Sequence, residues 1–260
     1  MASCGNVGDV PRSFCLDDDV EAVLIDLDDT LYQAEGIHPE FLTRMEEYMI
    51  AEHGFSPEEA ASSVHDYYAK HGTTLAGLVA SGYPVDVEKF HHMTHTVVDF
   101  GKLIRPDPEM RRMLLALKKP KYIFTNANTA HAKRILDILG ISDIFVDIVS
   151  FDTIQSSARR KGISDGSWVV CKPNPLAFEL ALEQVNATAG KVLFLDDSVR
   201  NIKAAQDMGI PSVLVHQGDV PEGIEFGIQS LKDFPLVAPK YFFTEPGPSS
   251  QPVNEPTQMC

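Results

Sequence analysis

A short apolar run that ends in carboxylates constrains this chain more than any other feature. Val20-Glu21-Ala22-Val23-Leu24-Ile25 reads as a buried β-strand, and Asp26-Leu27-Asp28-Asp29-Thr30 follows it directly. Carboxylates crowded at the tip of an apolar strand are costly unless something uses their charge. The arrangement recurs along the chain. A second strand, at 121–124, ends at Thr125-Asn126, and a third, at 191–195, ends at Asp196-Asp197. Shorter strands are expected within 144–149 and at 212–215, and helices at 108–117, 129–139, 175–185 and 199–208. Gly140 and Gly209 close two of these helices, as glycine does at a left-handed C-terminus. Strands alternating with helices predict an α/β fold: a parallel sheet with helices on both faces. In such sheets ligands bind at the carboxyl ends of the strands, where these polar residues fall.

Between the first strand and residue 100 the pattern changes. Phe41, Leu42, Met45, Tyr48 and Met49 recur at helical spacing over 39–53, with Met45 and Met49 read as packing residues. Ser56, Pro57 and Glu59 form a capping-box signature opening a second helix to about residue 70. Shorter helical stretches follow near 74–81 and 86–99, and no β-rich run interrupts them. The block predicts a small all-helical cap at 36–100, inserted into a core formed by 20–35 and 101–241. Hinges are expected at 33–36 and 101–107. Residues 1–19 read as a flexible leader and 242–260, rich in proline, as a disordered tail.

With 37 acidic against 22 basic residues, the formal charge is -15, which argues against a nucleic-acid partner. It leaves room for a small phosphorylated substrate, because a bound metal reverses the local field. No stretch is apolar enough to cross a membrane. The N-terminal residues lack a secretory apolar core and are too acidic for a transit peptide, so a cytoplasmic protein is expected. Cys4, Cys15, Cys171 and Cys260 show neither metal-ligand nor disulfide spacing and read as reduced thiols.

The strand tips carry the chemistry. In extended chain Asp26 and Asp28 point the same way, and Asp29 points elsewhere. Two close carboxylates repel, so one must be neutralised by a metal or protonated. That supplies a charged nucleophile and a general acid. Asp196 and Asp197 add oxygen donors from another strand, and hard oxygen donors fit Mg²⁺ rather than zinc. Asn201, one helical turn on, is spaced to orient an acidic residue or water. Thr125 offers a hydroxyl, and the amides after it lie at a helix start that suits phosphate. Lys172, stiffened by Pro173, is a candidate to neutralise phosphate and the nucleophile together. These residues leave open a covalent route and direct attack by water.

The ordered set resembles the haloacid dehalogenase-like (HAD) hydrolase superfamily. Asp26-Leu27-Asp28-Asp29-Thr30-Leu31 matches its first motif, Thr125 its second, Lys172 its third, and Asp196-Asp197 with Asn201 its fourth. The resemblance covers roughly 20–235 and implies a Rossmann-like core with a helical cap of the type called C1. More narrowly, Tyr68 with residues 72–78, Val170-Cys171-Lys172-Pro173 and residues 196–202 are similar to the pyrimidine 5'-nucleotidase branch and its plant and fungal relatives. The resemblance implies that Asp26 attacks phosphorus to form an aspartyl-phosphate, while Asp28 protonates the leaving alkoxide and then activates water. It implies Mg²⁺ on Asp26, the backbone carbonyl of Asp28 and Asp197, with Asp196 direct or through water. It implies phosphoryl oxygens held by Thr125, the amide of Asn126 and Lys172. Halide departure needs no protonation, and the dehalogenase branch generally lacks the second aspartate, so Asp28 favours phosphoester chemistry. Asn201 stands where many members carry a third aspartate.

In the cap, Tyr68, Thr73, Thr74 and Leu75 are the expected specificity residues, since an aromatic plane, hydroxyls and an apolar contact suit a nucleobase or sugar. His91, His92 and His95 read as packed or surface histidines, although His91 and His95 have i, i+4 spacing. Residues 150–170, with Ser156-Ser157-Ala158-Arg159-Arg160-Lys161-Gly162, read as a solvated loop. Contact with an anionic substrate or a small partner is the alternative for that loop. Trp168 is expected to anchor it near the site.

Overall fold

A computed structural model describes residues 20–33, 37–165 and 168–242. The expected leader, the hinge residues 34–36, most of the expected tail, and Cys4, Cys15 and Cys260 lie outside the described residues. Six strands form one sheet: β1 (Ala22–Ile25), β2 (Lys121–Phe124), β3 (Asp147–Val149), β4 (Val192–Asp196), β5 (Ser212–Val215) and β6 (Gly227–Ile228). Their spatial order is β3-β2-β1-β4-β5-β6, and every pairing is parallel. β6 has only two residues, too few to show a period in the sequence. The chain order reverses between β1 and β4, so the crevice at their carboxyl ends is the expected ligand position.

Helices α1 (Ile37–His53), α2 (Pro57–His71), α3 (Thr74–Ala80), α4 (Val87–His91) and α5 (Phe100–Leu103) fill the segment between β1 and β2. A π-helical turn, His92–Thr96, continues α4. The α/β alternation then proceeds through α6 (Pro108–Ala116), α7 (Thr129–Leu139), α8 (Phe151–Arg160), α9 (Pro175–Gln184), α10 (Val199–Asp207) and α11 (Phe234–Val237). Along β1 the side chains alternate between two cores. Val23 and Ile25 pack with Leu114 of α6, Ile135 of α7 and Phe234 of α11. Ala22 and Leu24 pack with Ile154 of α8, Phe178 of α9 and Ile202 of α10. Burying each of these larger apolar side chains stabilises the fold by roughly 1.5–3 kcal/mol. Phe242, assigned by sequence to the tail, is buried in the first of these cores.

The helical insertion has a core of its own. Tyr48, Met49, Val64, Leu75, Leu78 and Phe90 bury together, with Met45 packed against them. Ser56 and Glu59 make the reciprocal capping box, and Gly72 ends α2 at a φ of 90°. Phe151 of α8 reaches into this cluster and joins it to the sheet domain.

α8 corrects the reading of 150–170 as a loop. Phe151, Ile154, Gln155 and Ala158 face inward at helical spacing, and Ser150 and Thr153 form a capping box. The signal is weak in sequence because one inward position is glutamine and the outward positions are short and polar. The basic residues Arg159 and Arg160 occupy the last turn, where cations oppose the helix dipole. Trp168 packs against the α8–α9 core and does not line the cavity at the strand tips, contrary to expectation. Among the described residues no helix is long and apolar enough to cross a membrane.

Candidate active site

The register of the two central strands brings the acidic motifs together. Ile25 lies beside Leu195, and the Asp26 amide donates to the Leu195 carbonyl at 2.9 Å. Asp26 and Asp196 therefore leave their strands side by side. Carboxylate oxygens of Asp26, Asp196 and Asp197 lie within 4.8 Å of one another. One cation balances them directly. The Lys172 ammonium donates to Asp26 Oδ1 at 2.7 Å, Asp196 Oδ2 at 2.7 Å and the Phe124 carbonyl at 2.6 Å. Lys172 is only 1% exposed. Burial alone would push its ammonium down, but Asp196 and Asp26 outweigh that and hold it above the ordinary lysine range.

Asn126 fixes that lysine. Its side-chain amide donates to the Lys172 carbonyl at 2.9 Å, and its Oδ1 accepts from the Lys172 backbone amide at 2.9 Å. This clamp on the segment before cis-Pro173 was not foreseen from sequence. Asp196 is completely buried and saturated. Besides Lys172, it accepts from the Ser198 amide at 2.8 Å and from Asn201 Nδ2 at 2.9 and 3.1 Å. Asn201 thus orients an acidic residue, one of the two roles its spacing suggested. Asp197 stays half-buried. Burial, then the nearby Asp196 and Asp26, push its carboxyl up to about 9. Burial likewise raises Asp26 to about 7, despite the opposing pull of Lys172. Carboxylates raised this way lack positive charge, and their oxygen donors fit a hard divalent cation. Thr30, named in the first motif but given no role there, donates its hydroxyl toward Asp26 Oδ2 at 3.4 Å and Asp197 Oδ1 at 3.3 Å.

Asp28 has a separate environment. Its Oδ1 accepts from the Tyr32 hydroxyl and lies 2.8 Å from His131 Nε2. Burial would raise this carboxyl, but His131 and Tyr32 together hold it below the ordinary range. The two carboxylates are thus pushed in opposite directions, Asp26 up and Asp28 down. Asp28 contributes no side-chain oxygen to the acidic cluster. Tyr32 and His131 lie outside every motif. His131 is two residues into α7, and only the packing of α7 beside β1 brings it to Asp28.

A cavity of about 390 Å³ opens from these groups toward the cap, within the usual size of a small-ligand site. Asp26, Asp28, Thr125, Asn126, Lys172, Asp197 and Asn201 line its sheet end. Asp29, expected to point elsewhere, lines it too. Tyr68, Thr73, Thr74 and Leu75 all border its cap end. Two of the hydroxyls have other partners: Thr73 accepts from the Ala76 amide at 3.0 Å, and Thr74 donates to Met45 Sδ at 3.2 Å. The Tyr68 ring carries the Arg200 guanidinium 4.6 Å from its centroid, and Arg200 also donates to the Ala69 carbonyl at 2.5 Å. The end of α2 therefore rests on Arg200, at the start of α10. Cys171, buried and free, places Sγ 3.7 Å from the His71 carbonyl and 4.0 Å from Thr73 Oγ1. His91 and His95 line the cavity as well, whereas His92 is exposed.

The family model for haloacid dehalogenase-like hydrolases matches residues 20–209. The chain belongs to the haloacid dehalogenase-like hydrolase family. Its relatives include phosphate metabolism protein 8 of Saccharomyces cerevisiae, 28% identical over 198 residues, covering 73% of this chain and 59% of the yeast protein. The N-acetylmuramic acid 6-phosphate phosphatase of Pseudomonas aeruginosa is 26% identical, covering 83% of this chain and 92% of that protein. The crystal structure of a HAD phosphatase from Thermococcus onnurineus superposes with a TM-score of 0.54 at 18% identity, covering 83% of this chain and 96% of that one. At that identity the likeness speaks for the fold. The haloacid dehalogenase-like core is thus established.

Proposed function

We propose that the protein is a Mg²⁺-dependent phosphomonoesterase acting on a small phosphorylated metabolite. The substrate we favour is a nucleoside 5'-monophosphate, with pyrimidines preferred, through an aspartyl-phosphate intermediate. The observation that carries the reading is the Lys172 ammonium bonded to Asp26 and Asp196 at the mouth of one cavity. A fixed cation beside a nucleophilic carboxylate stabilises the charge that gathers on transferring phosphoryl oxygens.

In this mechanism an Asp26 oxygen attacks phosphorus, and the bond to the leaving oxygen breaks. The departing alkoxide takes a proton from Asp28, which holds that proton only transiently because His131 and Tyr32 favour its ionised form. His131 Nε2, 2.8 Å away, holds the Asp28 carboxyl in place. Water then attacks the aspartyl-phosphate and loses its proton to Asp28, which releases inorganic phosphate and restores Asp26. Lys172 and the Thr125–Asn126 turn hold the phosphoryl oxygens. Mg²⁺ held by Asp26 and Asp197 would supply the positive charge that keeps both carboxylates ionised. Asp196, already saturated by Lys172, Ser198 and Asn201, serves to orient Lys172.

The cap supports a leaving group larger than a bare alkyl chain. Aromatic and aliphatic walls and Tyr68 suit a base or sugar, and the similarity to the pyrimidine 5'-nucleotidase branch points to the former. Phosphate release should be assayed over nucleoside monophosphates and sugar phosphates, with Mg²⁺ and with chelator. We expect release from nucleoside monophosphates, its loss in chelator, and a loss of at least a thousandfold in Asp26→Asn. Full activity in Asp26→Asn would exclude the covalent route.

A further inference from the structure

The cap end of the cavity holds a buried polar side chain that the mechanism does not use and that has no hydrogen-bond partner. His91, the last residue of α4, is 5% exposed and lines the cavity shared by Asp26 and Lys172. Neither of its ring nitrogens has a hydrogen-bond partner in the protein. Its neighbours explain why. The rings of Phe90, His95 and Phe151 approach edge-on, with centroids 5.7, 5.4 and 5.2 Å away. The other histidines of this cluster are satisfied: His95 Nδ1 pairs with the Thr94 hydroxyl at 2.7 Å, and His131 pairs with Asp28. A buried polar group without a partner carries a desolvation cost that a ligand pairing with it recovers.

The charge around His91 narrows what that ligand is. Burial pushes the imidazole down to about 4, so at neutral pH it is uncharged, with one donor and one acceptor nitrogen. Among the described residues, no lysine or arginine besides Lys172 lines the cavity. The apolar walls of the cavity are Phe41, Leu42, Met45, Val64, Leu75 and Phe90. A second anionic group on the substrate would lie against these walls with no cation to pair it, at a large desolvation cost.

We infer that His91 is a specificity-determining residue whose imidazole hydrogen-bonds an uncharged N–H, carbonyl or hydroxyl of the leaving group. The site thereby selects phosphomonoesters of neutral, partly apolar alcohols over those that carry a carboxylate. The assignment rests on the phosphomonoesterase reading and deepens it. Sequence reasoning treated His91 as packing because spacing alone does not reveal an unpartnered ring.

The test uses the full chain with Mg²⁺ and three probes: uridine 5'-monophosphate, phenyl phosphate, whose leaving group has no further hydrogen-bonding group, and 2-phosphoglycolate, which carries a carboxylate. In the unmodified protein kcat/KM for uridine 5'-monophosphate should exceed that for 2-phosphoglycolate by tenfold or more. In His91→Phe the ratio of kcat/KM for uridine 5'-monophosphate to that for phenyl phosphate should fall about tenfold, chiefly through KM. His91→Asn, which keeps a donor and an acceptor, should recover part of the loss. An unchanged ratio in His91→Phe, or equal use of 2-phosphoglycolate by the unmodified protein, overturns the assignment. If none of the three probes releases phosphate, the phosphomonoesterase reading fails by itself. His91 is then judged by calorimetric binding of uridine 5'-monophosphate: about tenfold weaker binding to His91→Phe supports the assignment, and equal binding overturns it.

Discussion

Replacing Lys172 by methionine tests the electrostatic frame of the site. The Lys172 ammonium makes three hydrogen bonds at 2.6–2.7 Å, two of them to carboxylates that are themselves buried. Methionine keeps most of the apolar stem but loses the ammonium that lies 4.9 and 5.3 Å from the Phe124 and Phe194 ring centroids. What disappears is the positive charge. Asp26 and Asp196 are then left beside Asp197 with no cation, and breaking a buried pair in this way costs about 3–5 kcal/mol. For a domain of this size each kcal/mol shifts the melting temperature by roughly 2–4 °C, so the variant should melt about 6–20 °C lower in chelator. Mg²⁺ should narrow the gap, because the uncompensated cluster gains more from a bound cation than the compensated one. The assay is thermal unfolding by circular dichroism, with chelator and with Mg²⁺, on both proteins. If Lys172→Met melts within about 2 °C of the unmodified protein in chelator, the lysine does not hold the cluster together and the reasoning is wrong.

Two further outcomes follow from the cap. At Gly72, where φ is 90°, an added Cβ would sit 2.4 Å from the Lys172 carbonyl oxygen and 2.8 Å from Pro173 Cδ. Gly72→Ala should therefore raise KM several-fold and destabilise the fold by more than about 1 kcal/mol, checked by steady-state kinetics and thermal unfolding. Unchanged KM would show that the α2–α3 loop does not need this close approach to Lys172. His91, faced by His95, His131, Phe90 and Phe151 with Asp152 nearby, has its pKa lowered from 6.5 to about 4. A depressed folded pKa gives stability that is present above pH 6.5 and lost as pH falls through 4. This loss amounts to about 3 kcal/mol from the one residue. Urea unfolding at pH 7 and pH 4 should show a smaller loss in His91→Phe, and an equal loss would refute the burial argument.

The strand-and-helix alternation was legible because each strand is a short apolar run cut off by polar residues. Thr125, Asp196 and Asp197 could be read off those ends for the same reason, Asn201 from its spacing one helical turn later, and Lys172 from its place before Pro173. α8 escaped because Gln155 interrupts its buried face, and β6 because two residues carry no period. Tyr32 and His131 escaped because neither sits at a strand tip.

The linear order of residues determined the parallel sheet, the helical insertion and the acids at the strand ends, since these depend on local apolar periodicity and on strand polarity. Only the tertiary structure decided which partner each acid has and in which direction its proton affinity moves. Asp26 and Asp28 are two residues apart in sequence, yet one is bonded to Lys172 and pushed up, and the other is bonded to His131 and pushed down. Sequence distance does not set a carboxyl group's proton affinity. Burial and the charges that packing brings within a few ångströms do.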